Sequence, residues 1–201
     1  GDQIKTITSF TYTNDALTLS TTNRAANVTG DTALVEIGAK RSETVYTGNE
    51  TEEKALKTYN YDYAGLIIKT TTTFASTAAA LSGSVTTKLQ DGLVKKSETV
   101  YTGNETEEKA LKTYNYNFAG DAIKTVTEFF YTADALSSSN TNRVDNVTAV
   151  MADVILGAMK SITTYAGNET EEKAQRTYNY NFAGDQIKTI TSFTYTNDAL
   201  T

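Results

Sequence analysis

At three places in the chain, apolar and polar residues alternate with a period of two. Tyr178, Tyr180 and Phe182 alternate with Thr177, Asn179 and Asn181, the pattern of a strand with two unlike faces. The same alternation carries Tyr59, Tyr61 and Tyr63, and again Tyr114, Tyr116 and Phe118. Each run meets a glycine: Gly65 before Leu66, Gly120 before Asp121 and Gly184 before Asp185. A Gly-X step between two alternating runs predicts a tight hairpin. Folding at Gly184-Asp185 sets Phe182 opposite Ile187, Tyr180 opposite Thr189 and Tyr178 opposite Thr191. Every aromatic then meets a β-branched partner, a favourable cross-strand pair worth roughly 0.2–1 kcal/mol. One step further out, Lys57 would oppose Phe74, Lys112 Phe129 and Arg176 Phe193, a cation over an aromatic face each time. An odd-length loop would shift the register by one and scatter these pairs.

A third strand is expected before each pair, over 34–46, 92–101 and 154–165. The segment GNETEEKA joins it to the Tyr-bearing strand. Asn49 with Glu52 resembles a capping box, whereas a polar turn fits the lack of apolar residues at helical spacing; a turn with at most one helical turn is the preferred reading. The Ser-, Asn- and Thr-rich stretch 134–146 reads as loop, with a fourth short strand placed near 147–151.

These patterns recur because the chain repeats itself. SETVYTGNETEEKALKTYNY stands at 42–61 and again at 97–116, with a diverged copy at 161–180. The starts are 55 and 64 residues apart, and residues 184–201 repeat residues 1–18 at an offset of 183. Repetition at this scale marks a tandem array. The boundaries are then 1–41, the C-terminal part of one unit; 42–96, a short unit; 97–160, a long unit; and 161–201, the N-terminal part of another. Together they form one array with a 183-residue super-repeat. Residues 1–41 align with 120–160 without gaps, with Asn23-Arg24 meeting Asn142-Arg143. The short unit lacks nine residues in this stretch, and length variation belongs in loops. With no initial Met and no signal peptide, the chain reads as a window from a longer protein.

Composition sharpens the picture. Pro, Cys, Trp and His are absent, although Pro averages about 5% of residues, and Pro-free sequence suits hydrogen-bonded strands. Without Cys and His there is no disulfide, no soft-metal site and no Ser–His or Cys–His nucleophile. A net charge of −6 speaks against nucleic acid as a partner. No apolar run approaches the roughly 20 residues of a membrane span.

The expected fold is all-β: an elongated tandem array of antiparallel hairpins or meanders, β-solenoid-like, of three- or four-stranded units and without sizeable helices. A wide parallel solenoid is the alternative. The segment TYNYDYAGLIIKTTT, with Tyr59, Tyr61, Asp62, Gly65 and Leu66 in order, resembles the YD repeat of the rearrangement-hotspot and teneurin families. Asn117 and Asn181 depart from it by replacing the Asp, and Asp121 and Asp185 by following the Gly. The match covers about 15 residues in each unit. The resemblance implies an antiparallel β-array and an extracellular or surface context.

The aromatic stripe Tyr59, Tyr61, Tyr63, Tyr114, Tyr116, Phe118, Tyr178, Tyr180 and Phe182 is read as structural packing, with glycan stacking as its functional alternative. Gly65, Gly120 and Gly184 are read as turn residues. The acidic linker (Glu50, Glu52, Glu53 and their copies) lacks the closely spaced Asp and Gly of repeat-type calcium sites and is read as solvated turn. Asn27, Asn49, Asn104, Asn146 and Asn168 begin Asn-x-Thr sequons but also suit turns. No catalytic residue, cofactor or metal is expected, because an enzyme rarely repeats its catalytic residues in three tandem copies. The expected function is a structural segment of a long extracellular or cell-surface fibre, bacterial in source, whose partner is further copies of itself. An adhesin-type module binding surface glycans and a shell around a cargo are the alternatives.

Overall fold

The computed structural model describes residues 3–77, 80–88 and 93–196 and the backbone of 199–200. They form two compact units, Gly1–Lys95 and Lys96–Thr201. The first unit holds β1 (Thr6–Thr13), β2 (Ala16–Ala25), β3 (Ile37–Thr47), β4 (Lys54–Tyr61), β5 (Ile68–Thr77) and β6 (Ala80–Lys88). The second holds β7 (Val94–Thr102) from its third residue, β8 (Lys109–Tyr116), β9 (Ile123–Thr132), β10 (Ala135–Val144), β11 (Leu156–Ala166), β12 (Lys173–Tyr180) and β13 (Ile187–Ser192). A two-residue pair follows, β14 (Tyr195–Thr196) with β15 (Ala199–Leu200). Within each unit the strands lie side by side in chain order, each antiparallel to the next. The fold is an all-β antiparallel meander, and its one helical element among the described residues is a single 3-10 turn, Met151–Asp153.

Each unit is a single sheet layer, since the extensive strand contacts are those between sheet neighbours. Few side chains are fully buried: the apolar ones among the described residues are Ala16, Tyr116, Ala122, Ile123 and Val126. Cohesion therefore comes largely from cross-strand rows. Thr44, Thr58, Thr72 and Thr86 face one another in succession across β3 to β6, with hydroxyl hydrogen bonds of 2.9 Å from Thr44 to Thr58 and from Thr72 to Thr86. Thr99, Thr113, Thr127 and Thr141 repeat the row across β7 to β10. β-branched hydroxyl side chains fit a pleated surface and satisfy each other there.

This explains one departure from the sequence expectation. Residues 135–144, expected as loop, are the ten-residue strand β10, matched by β2 in the first unit. Its Ser-Ser-Ser-Asn-Thr run is half-buried to buried, and its hydroxyls find partners on the adjacent strands: Ser137 Oγ donates to Phe130 O and Ser139 Oγ bonds the Tyr165 hydroxyl. Two-residue turns feed these strands: Asn14 and Asp15, like Ala133 and Asp134, both have positive φ, the conformation that matches strand twist in a type I′ hairpin. Nor does 147–151 hold a strand; it lies in the loop between β10 and β11, which ends in the 3-10 turn. The β2–β3 and β10–β11 connections, 26–36 and 145–155, are each 11 residues long; their counterpart in the short unit, around 89–92, lies outside the described residues.

The hairpin register also differs. The loop between β12 and β13 has six residues, 181–186, rather than a two-residue Gly-X turn. Tyr178 faces Ile190 and Tyr180 faces Ile187, with an irregularity at Lys188. Tyr114 faces Val126 and Tyr116 faces Ile123; Tyr59 faces Thr71 and Tyr61 faces Ile68. The partners are still β-branched, but not the ones expected. The cation–Phe pairs are replaced as well: Lys57 faces Thr73, Lys112 faces Glu128 and Arg176 faces Ser192. Lys112 Nζ lies 2.8 Å from Glu128 Oε1. An extra residue in one strand turns its later side chains over relative to the partner.

Candidate functional site

The features that recur most faithfully are the braces at the two ends of the strands. At one end, the loop after each Tyr-bearing strand is closed by its first residue. Asp62 N donates to Ile67 O, Asn117 N to Ala122 O and Asn181 N to Gln186 O, at 2.8, 2.8 and 2.9 Å. The side chain of that residue then fills the loop from inside. Asp62 Oδ1 accepts from Leu66 N at 2.9 Å and Ile67 N at 3.2 Å. Those backbone bonds, Ile67 first, hold the Asp62 carboxyl below its ordinary value. Asn117 Oδ1 accepts from Gly120 N and Asp121 N, and Asn181 Oδ1 from Gly184 N and Asp185 N.

The two departures noted in the YD-like motif are thus coupled. Where Asn replaces Asp, its Nδ2 donates to the Asp that follows the glycine, at 2.6 Å for Asn117–Asp121 and 2.7 Å for Asn181–Asp185. A carboxylate at both positions would repel; Asp62 is followed by apolar Leu66 instead. Gly65, Gly120 and Gly184 have φ of 74°, 77° and 79°, a conformation that favours glycine. A Cβ on Gly65 would stand 2.6 Å from Lys40 N, and one on Gly184 2.6 Å from Met159 N. The loop therefore presses on the backbone of the strand before its own hairpin.

An arginine clamps it there. Arg24 Nη1 donates to Lys40 O at 3.2 Å and Asp62 O at 3.5 Å, and the guanidinium lies 5.0 Å from the Tyr63 ring centre. Arg143 Nη1 donates to Met159 O at 2.9 Å and lies 5.2 Å from the Phe182 ring centre. The preceding Asn23 and Asn142 donate from Nδ2 to Gly38 O and Gly157 O. The sequence alone gives these four residues no role, although the gapless alignment of 1–41 with 120–160 pairs them. In the short unit Lys88 stands at the Arg position.

The aromatic stripe is divided by this loop. Tyr59, Tyr61, Tyr114, Tyr116, Tyr178 and Tyr180 lie on strands, whereas Tyr63, Phe118 and Phe182 lie in the loops and are 85%, 90% and 84% exposed. Tyr116 is the buried member, in a cluster with Ile123 and Val126 against which Tyr114, Val144, Met151 and Val154 pack. Its hydroxyl donates to the Glu98 carboxylate. Burial first, then that carboxylate, raises its pKa well above the ordinary phenol value. Lys40 lies 5.1 Å from the Tyr61 ring centre and 2.6 Å from Glu43 Oε2.

At the opposite strand ends, GNETEEK forms a tight turn with no helical turn. Glu52 N, Glu107 N and Glu171 N each donate to the carbonyl of the Asn three residues earlier at 3.0 Å. Gly48, Gly103 and Gly167 have φ of 124°, 120° and 132°. The last Glu of the turn reaches the neighbouring hairpin: Glu53 Oε1 accepts from Leu17 N at 2.8 Å, and Glu172 Oε1 from Leu136 N at 2.9 Å. Those bonds lower both carboxyl pKa values. Lys109 Nζ ties the turns together, 2.8 Å from Asp134 and 3.3 Å from Glu169. The acidic side chains of the linker act here as hooks between hairpins. Among the described residues no three His, Cys, Asp or Glu converge as a metal site would require.

Two of the Asn-x-Thr sequons have a structural use. Asn27 Nδ2 donates to Leu34 O and its Oδ1 accepts from Glu36 N; Asn146 does the same with Asp153 O and Ile155 N. Each side-chain amide spans the long loop on both atoms. Asn49, Asn104 and Asn168 begin the GNETEEK turns and are exposed. No helix is long and apolar enough among the described residues to cross a membrane. No family model matches the chain, and no curated protein matches its sequence.

Proposed function

We propose that the chain is a structural length of an extracellular or cell-surface fibre assembled from YD-like β-repeats, a scaffold rather than a catalyst. The observation that carries this reading is the recurrence of the same braces around successive strands. The Asn or Asp loop closure appears three times; the arginine clamp and the glutamate hook each appear twice, 119 residues apart. A braced single-layer sheet extends by adding strands, each advancing it about 4.8 Å, and repeat arrays draw stability from neighbours. Its partner on this reading is further copies of itself. Electron microscopy of a protein carrying one, two and three 183-residue periods tests it. Unbranched rods lengthening by a constant step, roughly 58 Å for twelve strands, are expected; particles whose length does not grow with the number of periods would overturn it.

A second reading, surface-glycan adhesion, is favoured by one observation: the loop aromatics Tyr63, Phe118 and Phe182 are exposed, and exposed rings suit stacking on sugar faces. Replacing all three by Ala should abolish glycan-array binding on that reading. An array on which the parent chain binds nothing would remove it.

A further inference from the structure

Among the described residues seven non-glycine positions have positive φ, and three of them are threonines: Thr51, Thr106 and Thr170, at 69°, 72° and 71°. Asn14, Asp15 and Asp134 are residue types that tolerate this region. A β-branched side chain is not, and its presence there marks strain. Each threonine is third in a four-residue turn that begins at Asn49, Asn104 or Asn168 and is closed by the Glu52, Glu107 or Glu171 amide. Positive φ at that place calls for Gly or Asn.

The repeats do not relax the strain. Between the copies 42–61 and 161–180, five of the twelve residues outside GNETEEKA differ, and all eight inside it are the same. Some of those eight have structural work: Gly48 supplies a positive φ and Glu53 hooks the neighbouring hairpin. The side chains of Asn49 and Thr51 have none. They are exposed, as are Asn104, Thr106, Asn168 and Thr170, and among the described residues no hydrogen bond engages them. The other two sequons are the opposite case. Asn27 and Asn146 are bonded on both amide atoms. Their hydroxyls are used too, Thr29 Oγ1 accepting from Asp31 N and Thr148 Oγ1 from Val150 N, each at 3.0 Å.

An idle amide and an idle hydroxyl two residues apart, the hydroxyl held on strained backbone in every copy, point to a reader outside the chain. We propose that Asn49, Asn104 and Asn168 are N-glycan acceptors and that Asn27 and Asn146 are not. The donor is an oligosaccharide carried on a lipid pyrophosphate. Asn Nδ2 bonds to the anomeric carbon as that carbon's bond to the pyrophosphate oxygen breaks. The amide gives up one proton, the lipid pyrophosphate leaves, and nothing is oxidised. The threonine hydroxyl is the group by which the transferase recognises the acceptor. The inference rests on the extracellular reading above, because such donors serve secreted chains. Asn104 and Asn168 lie in the β7–β8 and β11–β12 turns, on one edge of the second unit and four strands apart, roughly 19 Å. Glycans placed there leave both sheet faces clear.

The full chain is secreted from a eukaryotic host, which supplies donor and transferase whatever the native compartment. The folded product is treated with peptide N-glycosidase in heavy-oxygen water, and conversion of Asn to Asp is mapped by mass spectrometry. Occupancy at Asn49, Asn104 and Asn168 is expected to be at least tenfold above that at Asn27 and Asn146. The triple variant Thr51→Asn, Thr106→Asn, Thr170→Asn should lose those glycans. Made without glycans in a bacterial cytoplasm, it should unfold at higher urea than the parent chain, because Asn accepts the left-handed backbone. Bare turn sequons, or equal occupancy at Asn27 and Asn146, would overturn the proposal. So would a triple variant less stable than the parent, which would give the threonines a structural use. Rods formed by a secreted chain with bare turns would leave the fibre reading standing and remove the glycans alone.

Discussion

The guanidinium of Arg143 lies 5.2 Å from the centre of the Phe182 ring while its Nη1 donates to Met159 O at 2.9 Å. One side chain thus ties a loop to the backbone of the strand beneath it, two strands away in the sheet. Arg143→Ala should cost about 1–2 kcal/mol, combining a partly exposed cation–π contact with one lost hydrogen bond. Arg143→Lys should recover less than half, because an ammonium cannot keep both the planar stack and the directed bond. Urea unfolding checks both, the midpoint falling with little change in slope.

Asn181 and Asp185 should behave as a coupled pair. Asn181→Asp alone sets two carboxylates where one amide–carboxylate bond of 2.7 Å now stands. A loss of about 1–2 kcal/mol is expected at neutral pH. Adding Asp185→Leu recreates the Asp62–Leu66 combination and should restore most of the loss. A double-mutant cycle measures the coupling; additive effects would show that the two positions act independently.

Tyr116 should set the alkaline limit of the second unit. Its pKa is raised in the folded chain above the ordinary 10.0, by burial first and Glu98 second. The unfolded chain therefore loses the phenol proton more readily. The stabilisation is fully present below pH ~10 and is lost progressively as pH climbs beyond it. Tyr116→Phe should cost about 1–2 kcal/mol at pH 7 and should flatten the fall in stability above pH ~10. Thermal unfolding across pH 8 to 11 compares the two.

The glutamate hook should be visible at one amide. Leu136 N donates to Glu172 Oε1, and that bond, named first among the causes, lowers the carboxylate pKa. A depressed carboxyl contributes stability above its unfolded value of about 4.5, lost as pH falls through the folded value. Glu172→Ala should raise hydrogen exchange at Leu136 about tenfold or more at pH 7, while Glu172→Gln, which keeps an acceptor oxygen, should raise it less. Unchanged exchange in Glu172→Ala would mean that the hook does not close in solution.

Several braces are partly legible in the sequence. The glycines at 65, 120 and 184 lie at positive φ within the loops that turn the chain, although those loops have six residues rather than the two of a Gly-X turn. Asn23-Arg24 and Asn142-Arg143 stood out only as matched letters, because what they bind is main chain: carbonyls of Gly38, Lys40, Gly157 and Met159. A carbonyl acceptor leaves no trace in residue identity. The split of the Tyr/Phe stripe was hidden for a related reason, since Phe182 keeps the alternation of the strand although the strand has ended at Tyr180.

By itself the sequence determined the repeat lengths, the all-β class and the strands that carry alternating tyrosines, because a period of two is written directly into residue order. Tertiary structure decided the register and the polar strands. A one-residue shift in a hairpin is penalised only when one face is apolar and the other wet. Here both faces of a single layer carry Thr, Ser, Asn and Tyr, so alternation alone does not choose between registers. The choice was made by the six-residue Asx-closed loop and the irregularities at Lys69, Lys124 and Lys188. The run 135–144 is a strand because its neighbours supply partners for its hydroxyls: Thr127 for Thr141, the Phe130 carbonyl for Ser137 and the Tyr165 hydroxyl for Ser139.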